Sequence, residues 1–226
     1  MSALERRLGA WHAWTLAMTV QELCDAVLDG CYVDVVTPLT APPVACIDLR
    51  ARGAQARLEG HPLVVDVTSC GPEACPAVRM GAHLALADVG EGLCVASVSR
   101  DVELMIPDAC GRLDALANVR ACSESDMYEV LRSKGAWWHA SSDEAQVVAA
   151  YLRCHPRVRE LRYPGLRGDP SFEVAARTLQ GGFGPYVDYR LGEGTPWHRI
   201  ACTGADPRET VIALERALAG EDDDRE

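Results

Sequence analysis

The chain has 226 residues, enough for one large domain or two small ones. Its net charge of -11 would repel a phosphate backbone, which argues against nucleic acid as a partner, and its 48% hydrophobic content is that of an ordinary globular protein. No apolar run approaches the roughly 20 residues that span a bilayer, and the opening MSALERRLGAWHAWTLAMTV is broken by His12, Trp14 and Thr15, so neither membrane nor signal peptide is expected and the cytoplasm is the default.

In chain order, TVQELCDAVLDG is the first helix. Thr19 caps it, Glu22 completes a capping box and Gly30 stops it. Tyr32 to Val36 reads as a strand by its β-branched content, and the proline-rich TPLTAPP as a loop. Ile47 to Glu59 reads as a helix closed by Gly60. PLVVDVT has the nearly continuous apolar run of a buried parallel strand. Pro72 to Met80 is expected to be helical, and HLALADV and GLCVASVS to be two further strands. This alternation predicts an α/β layer with a parallel sheet. After Ser99 the chain turns mainly helical, with Pro107 and Gly111 as breaks. Ser141 to Pro156 is a helix with a serine cap, and VRELRY a strand. SFEVAARTL is a helix, GPYVDYRL and WHRIACTG are strands, and DPRETVIALERALAG is a last helix with Asp206 as cap. A domain boundary is placed near residues 135 to 140, giving 1–135, 136–220 and an acidic tail, 221–226.

Ten cysteines are present, and no pair has the two-residue gap of a zinc or thioredoxin-like site. Most read as buried thiols. Cys70 and Cys75, in CGPEAC, are set apart because Cys75 is placed in the first turns of a helix that would lower a thiol pKa, but two apolar thiols at a loop-helix junction are preferred over a redox role. The six histidines show no metal spacing, so no metal site is expected. Trp137, Trp138 and His139 cluster near the boundary and read as packing.

Four segments in order, YVDVVTPLTAPPVACIDL, HPLVVDVTSCGP, SSDEAQVVAAYLRCHPRVRELRYPGLRGDPSFEVAARTLQGGFG and WHRIACTGADPRETVIALERAL, resemble the Cys/Met metabolism family of pyridoxal-phosphate (PLP) enzymes. That family includes cystathionine gamma-synthase, cystathionine gamma-lyase and methionine gamma-lyase. The resemblance implies a shortened fold type I architecture: a reduced parallel-sheet domain, then a small α/β domain with an antiparallel sheet. It also implies a chain that starts inside the family's large domain, without its Gly-rich phosphate loop and its ring-stacking aromatic residue.

What the resemblance implies for the site is mixed. PLP chemistry needs a lysine for the Schiff base and a carboxylate at the ring nitrogen. Asp66 falls where the family has its ring-nitrogen aspartate. Alternatively, Asp66 is an inherited carboxylate that caps the turn after its strand. Counting on to the family's lysine segment gives Asp88, Val89, Gly90 and Glu91, so Glu91 holds the lysine position. The loop asparagine of the family falls near Thr40 or Ala41. Arg199 matches the arginine that grips the substrate carboxylate; the alternative is a cross-strand pair with an acid such as Asp188. The single lysine, Lys134, lies outside the Schiff-base position. Three functions stay open: a degenerate, non-catalytic homologue acting as a binding or interaction subunit; an active PLP-dependent lyase or synthase acting on a sulfur-containing amino acid such as cystathionine, with the lysine supplied elsewhere; and a gene fragment without a role. The first expects no cofactor, and a homo-oligomer or a pairing with an intact relative. PLP is expected only if the family activity survives.

Overall fold

The structure is a computed structural model and describes residues 2–31, 33–120 and 122–220. Tyr32, the expected first residue of a strand, and the acidic tail 221–226 lie outside the described residues. The chain divides into two compact units. One comprises Met1–Pro38, Ile47–Gly135 and Thr178–Gln180; the other comprises Leu39–Cys46, Ala136–Arg177 and Gly181–Glu226.

In the first unit, helix α1 (Ala3–Leu8) is capped at both ends, by a Ser2–Glu5 capping box and by left-handed Gly9. Strand β1 (His12–Leu16) follows, a strand for which the sequence reading had no element. Helix α2 (Val20–Leu28) starts at the expected Thr19–Glu22 box and buries Leu23 and Val27. Strand β2 (Asp34–Val36), helix α3 (Leu49–Glu59), strand β3 (Leu63–Asp66), strand β4 (Leu84–Gly90) and strand β5 (Leu93–Val98) complete the layer.

The sheet runs β1-β5-β4-β3-β2. Strands β2, β3 and β4 are parallel, as the continuous apolar run of β3 predicts, and Leu63, Val64 and Val65 are fully buried. The remainder departs from the parallel expectation. β5 pairs antiparallel with β4, and β1 antiparallel with β5, so the sheet is mixed. The reason is the connection: only Glu91 and Gly92 separate β4 from β5, too few residues for a parallel crossover. Gly90, Glu91 and Gly92 all have positive φ there, at 100°, 57° and 71°. Helices α4 (Val102–Met105) and α5 (Ala109–Arg120) lead away from β5. The core joins Trp14, Leu16, Leu23, Val27, Leu84, Leu86, Ala96 and Val98 to Ile106, Ala109 and Leu113. Each such large apolar side chain removed from water contributes about 1.5–3 kcal/mol before the entropy of ordering is subtracted.

Three further expectations are corrected. Pro72–Met80 is not an α-helix; only a 3-10 turn, Ala77–Met80, forms, because Pro72 and Pro76 lack the N–H groups that a helical ladder needs. Gly111 is not a break but lies within α5. Ser141 is not a cap. It sits inside helix α6 (Glu124–Cys154), whose 31 residues hold no proline, and its Oγ donates to the Trp138 carbonyl at 3.2 Å.

The second unit carries the C-terminal part of α6, strand β6 (Glu160–Arg162), helix α7 (Phe172–Thr178), strands β7 (Tyr186–Arg190) and β8 (His198–Ala201) and helix α8 (Pro207–Gly220). Its sheet is antiparallel, in the order β6-β7-β8, as expected. Ala145, Val148, Ala149 and Leu152 of α6 pack with Tyr163, Val187 and Leu218. The phenol of Tyr163 donates to the Ser142 carbonyl at 3.1 Å, and burial pushes its pKa up.

Candidate functional site

In the first unit the sequence-derived positions gather at the C-terminal ends of β3 and β4. Asp66 ends β3, and its Oδ1 accepts the Thr68 N–H at 2.9 Å, turning the chain out of the strand. Thr68 Oγ1 in turn accepts the Asp88 N–H at 2.9 Å, which ties the two strand ends together. Asp88 Oδ1 accepts the Gly90 N–H at 2.8 Å. Glu91 lies beyond, exposed on the hairpin turn, with the left-handed backbone already noted.

Lys134 belongs to the same unit. Its aliphatic stem lies over Gly71, where an added Cβ would stand 3.1 Å from Lys134 Cγ. Lys134 is half-buried, so its stem is part of the packing rather than a surface arm.

Cys70 and Cys75 are buried, and Cys75 lies in the loop before the 3-10 turn rather than on a helix, so no helix dipole acts on it. Burial pushes the Cys24 thiol up to about 11, with the Asp66 carboxylate adding to the effect; burial and then Asp88 push Cys94 up to about 12. Neither is a thiolate at neutral pH. No group of three or more His, Cys, Asp or Glu among the described residues has metal-holding geometry.

In the second unit, Arg199 on β8 faces Asp188 on β7, its direct cross-strand neighbour. Nε donates to Asp188 Oδ1 at 2.8 Å and Nη2 to Oδ2 at 2.7 Å, so the guanidinium fork is matched by a carboxylate within the chain. Nη2 also donates to the Thr40 carbonyl at 3.0 Å, and the guanidinium lies 4.7 Å above the Tyr186 ring. Asp188 is fully buried and also accepts the Val44 N–H. Of the two readings of Arg199, the cross-strand pair is the arrangement observed. Thr40 serves this network through its backbone oxygen, and its hydroxyl donates to the Pro43 carbonyl at 2.9 Å.

One polar centre escaped the sequence reading. Glu144 is buried on α6, and its Oε2 accepts the N–H groups of Thr203, Gly204 and Ala205 at 2.9, 2.8 and 3.1 Å. Its Oε1 accepts the Thr210 hydroxyl at 2.6 Å. A chain carboxylate thus fills a backbone cup of the kind that elsewhere holds an anion. The available signal was position: Glu144 lies one and two turns before Val148 and Leu152, on the apolar face of its helix.

This second unit also carries the match to known proteins. The profile of the Cys/Met metabolism PLP-dependent enzyme family matches residues 137–203, which include Glu144, Asp188 and Arg199. The cystathionine gamma-synthase of Mycobacterium leprae is 30% identical over 199 residues, covering 82% of this chain and 48% of that protein. The chain belongs to the Cys/Met metabolism PLP-dependent enzyme family. The cystathionine gamma-synthase of Mycobacterium bovis is 27% identical over 232 residues, covering 92% of this chain and 55% of that protein. The chain therefore spans about half the length of the curated relatives it matches. Among solved structures, an apo methionine gamma lyase from Micromonospora echinospora superposes with a TM-score of 0.72 at 17% identity, covering 96% of this chain and 83% of that one. A cystathione gamma lyase structure from the same organism gives 0.64 at 17% identity, over 90% and 68%. These likenesses establish the fold, the shortened fold type I architecture expected from the sequence. No helix among the described residues is long and apolar enough to cross a membrane.

Proposed function

We propose that this family member is non-catalytic and acts as a binding or interaction subunit. The observation that carries the reading is the closed Arg199 fork. An arginine that recognises a substrate carboxylate must offer its paired N–H groups to that ligand, and here Asp188 and the Thr40 carbonyl already take them. Opening the fork for a substrate would strand the fully buried Asp188 carboxylate without its counter-charge.

The end of β4 supports the same reading. On the family count Glu91 stands in place of the Schiff-base lysine, and a carboxylate cannot condense with an aldehyde. It sits on an exposed turn, and Asp88, where a phosphate contact is counted, would repel a phosphate. These residues do not fit PLP.

The test is the visible absorption spectrum of the purified chain with added PLP, before and after borohydride, followed by peptide mass mapping. No protein-bound cofactor band and no reduced adduct are expected. A stable adduct on Lys134 would overturn the reading and return lyase or synthase chemistry on a sulfur-containing amino acid to first place.

A further inference from the structure

A cavity of about 340 Å³ in the first unit is lined by Arg6, Arg79 and Arg100, together with Trp11, Gly9 and Glu5. It is remote in chemistry from the positions that the family resemblance marks, and its charge runs against that of the chain, which is -11 overall. Elsewhere in the same unit Arg7, Arg52, Arg57, Arg112 and Arg120 each meet a carboxylate. Arg6, Arg79 and Arg100 meet none among the described residues. The carboxylate in the lining is engaged: Glu5 accepts from the Ser2 N–H and pairs with His12 at 2.6 Å.

The arginines are placed rather than scattered. Arg79 crosses the face of Gly9, where a Cβ would stand 2.3 Å from its Nε, and its Nη2 donates to the Arg6 carbonyl at 3.3 Å. Gly9 holds a φ of 65° at the end of α1 and leaves the room for that crossing. Arg100 stacks over the Trp11 ring at 4.5 Å, which fixes the plane of its guanidinium, and Trp11 remains half exposed at the rim. Three guanidiniums around one concavity supply more positive charge and more N–H donors than a single carboxylate uses. They suit an anion with two or more charges and several acceptor oxygens.

We propose that this cavity binds a compact polyanion of the phosphate class, either as the free anion or as the phosphate end of an organic molecule. The proposal is independent of the family's cofactor chemistry. The test is calorimetric titration of the full chain with pyrophosphate, ADP and succinate at low ionic strength. Pyrophosphate is expected to bind and succinate not to. Arg6→Gln and Arg100→Gln are each expected to weaken pyrophosphate about ten-fold, and Arg50→Gln, on the exposed face of α3, to leave it unchanged. Far-UV circular dichroism checks that each variant is folded, and Arg100→Lys, which keeps the charge, should restore part of the loss. Tighter binding of ADP than of pyrophosphate would support an organic phosphate that also uses Trp11; equal binding would support the free anion. The absence of binding by either, equal binding of succinate, or equal weakening by Arg50→Gln would overturn the proposal.

Discussion

Asp188 and Arg199 form a paired charge across two neighbouring strands. The pair spans neighbouring strands, and its carboxylate has no access to water. Arg199→Ala should therefore destabilise the chain by about 3–5 kcal/mol, because it leaves an unpaired buried charge. Asp188→Asn combined with Arg199→Gln, which keeps the shape without the charges, should cost much less than the single change. Urea unfolding of the three proteins decides. His83 makes a second case at this scale. It is fully buried, its Nδ1 accepts the Leu63 N–H at 2.9 Å, and its Nε2 has no hydrogen-bond partner among the described residues. Burial, and then the charge of Arg57, hold its pKa below the ordinary 6.5. The unfolded chain therefore takes up this proton before the folded chain does. The contribution is intact above pH 6.5 and is lost as the pH falls from there towards the folded value. His83→Asn keeps an acceptor for Leu63 and removes the titration. Its urea midpoint should fall less than that of the parent between neutral pH and about pH 5.5.

Two helical glycines carry opposite expectations at the scale of elements. Gly53 in α3 faces the backbone carbonyl of Gly81, and an added Cβ would stand 2.7 Å from that oxygen. Neither side is a flexible side chain, so Gly53→Ala should cost about 1–3 kcal/mol despite alanine's better helix propensity. Gly135 in α6 faces only Glu73 Oε2, at 3.9 Å, so Gly135→Ala should gain about 0.5–1 kcal/mol. Chemical denaturation of both variants checks the contrast in sign. The same physics explains what the sequence made legible. Capping residues such as Thr19 and Asp206 and the apolar run of β3 act locally, so the elements they mark could be read. The antiparallel turn of the sheet was also written locally, in the two residues between β4 and β5, but the alternation of strand and helix pointed the other way. Strand β1 was not legible, because only Trp14 and Leu16 are buried and its partner is distant in sequence. The continuity of α6 through Ser141 was hidden by a residue type that ends helices as often as it rides inside them.

For the molecule as a whole, the feature that bears on function is the family membership. The proposed role as a non-catalytic subunit carries the expectation that the chain acts through a partner, either a second copy of itself or an intact relative. Light scattering after size exclusion should give a mass above that of the 24.4 kDa monomer, alone or with a co-expressed full-length homologue. A clean monomer in both samples would refute this expectation. For the site, the sequence marked Asp66, Glu91 and Arg199 by resemblance alone, and offered Asp188 as the partner that Arg199 meets. It did not disclose the Glu144 cup, because hydrogen bonds from one helix to a loop sixty residues on leave no periodic trace.

Strand β1 has a further consequence, one of order in time. It precedes the other four strands of its sheet in the chain, yet it pairs with β5, the last of them. Between them lies every other strand of that layer. Loop-closure entropy holds β1 unplaced until β5 has been made, so Trp14 and Leu16 wait in solvent while their future neighbours are still being synthesised. Closing this layer is therefore a late event in its own folding, and β1 finds its place only after the sheet's last strand has been made.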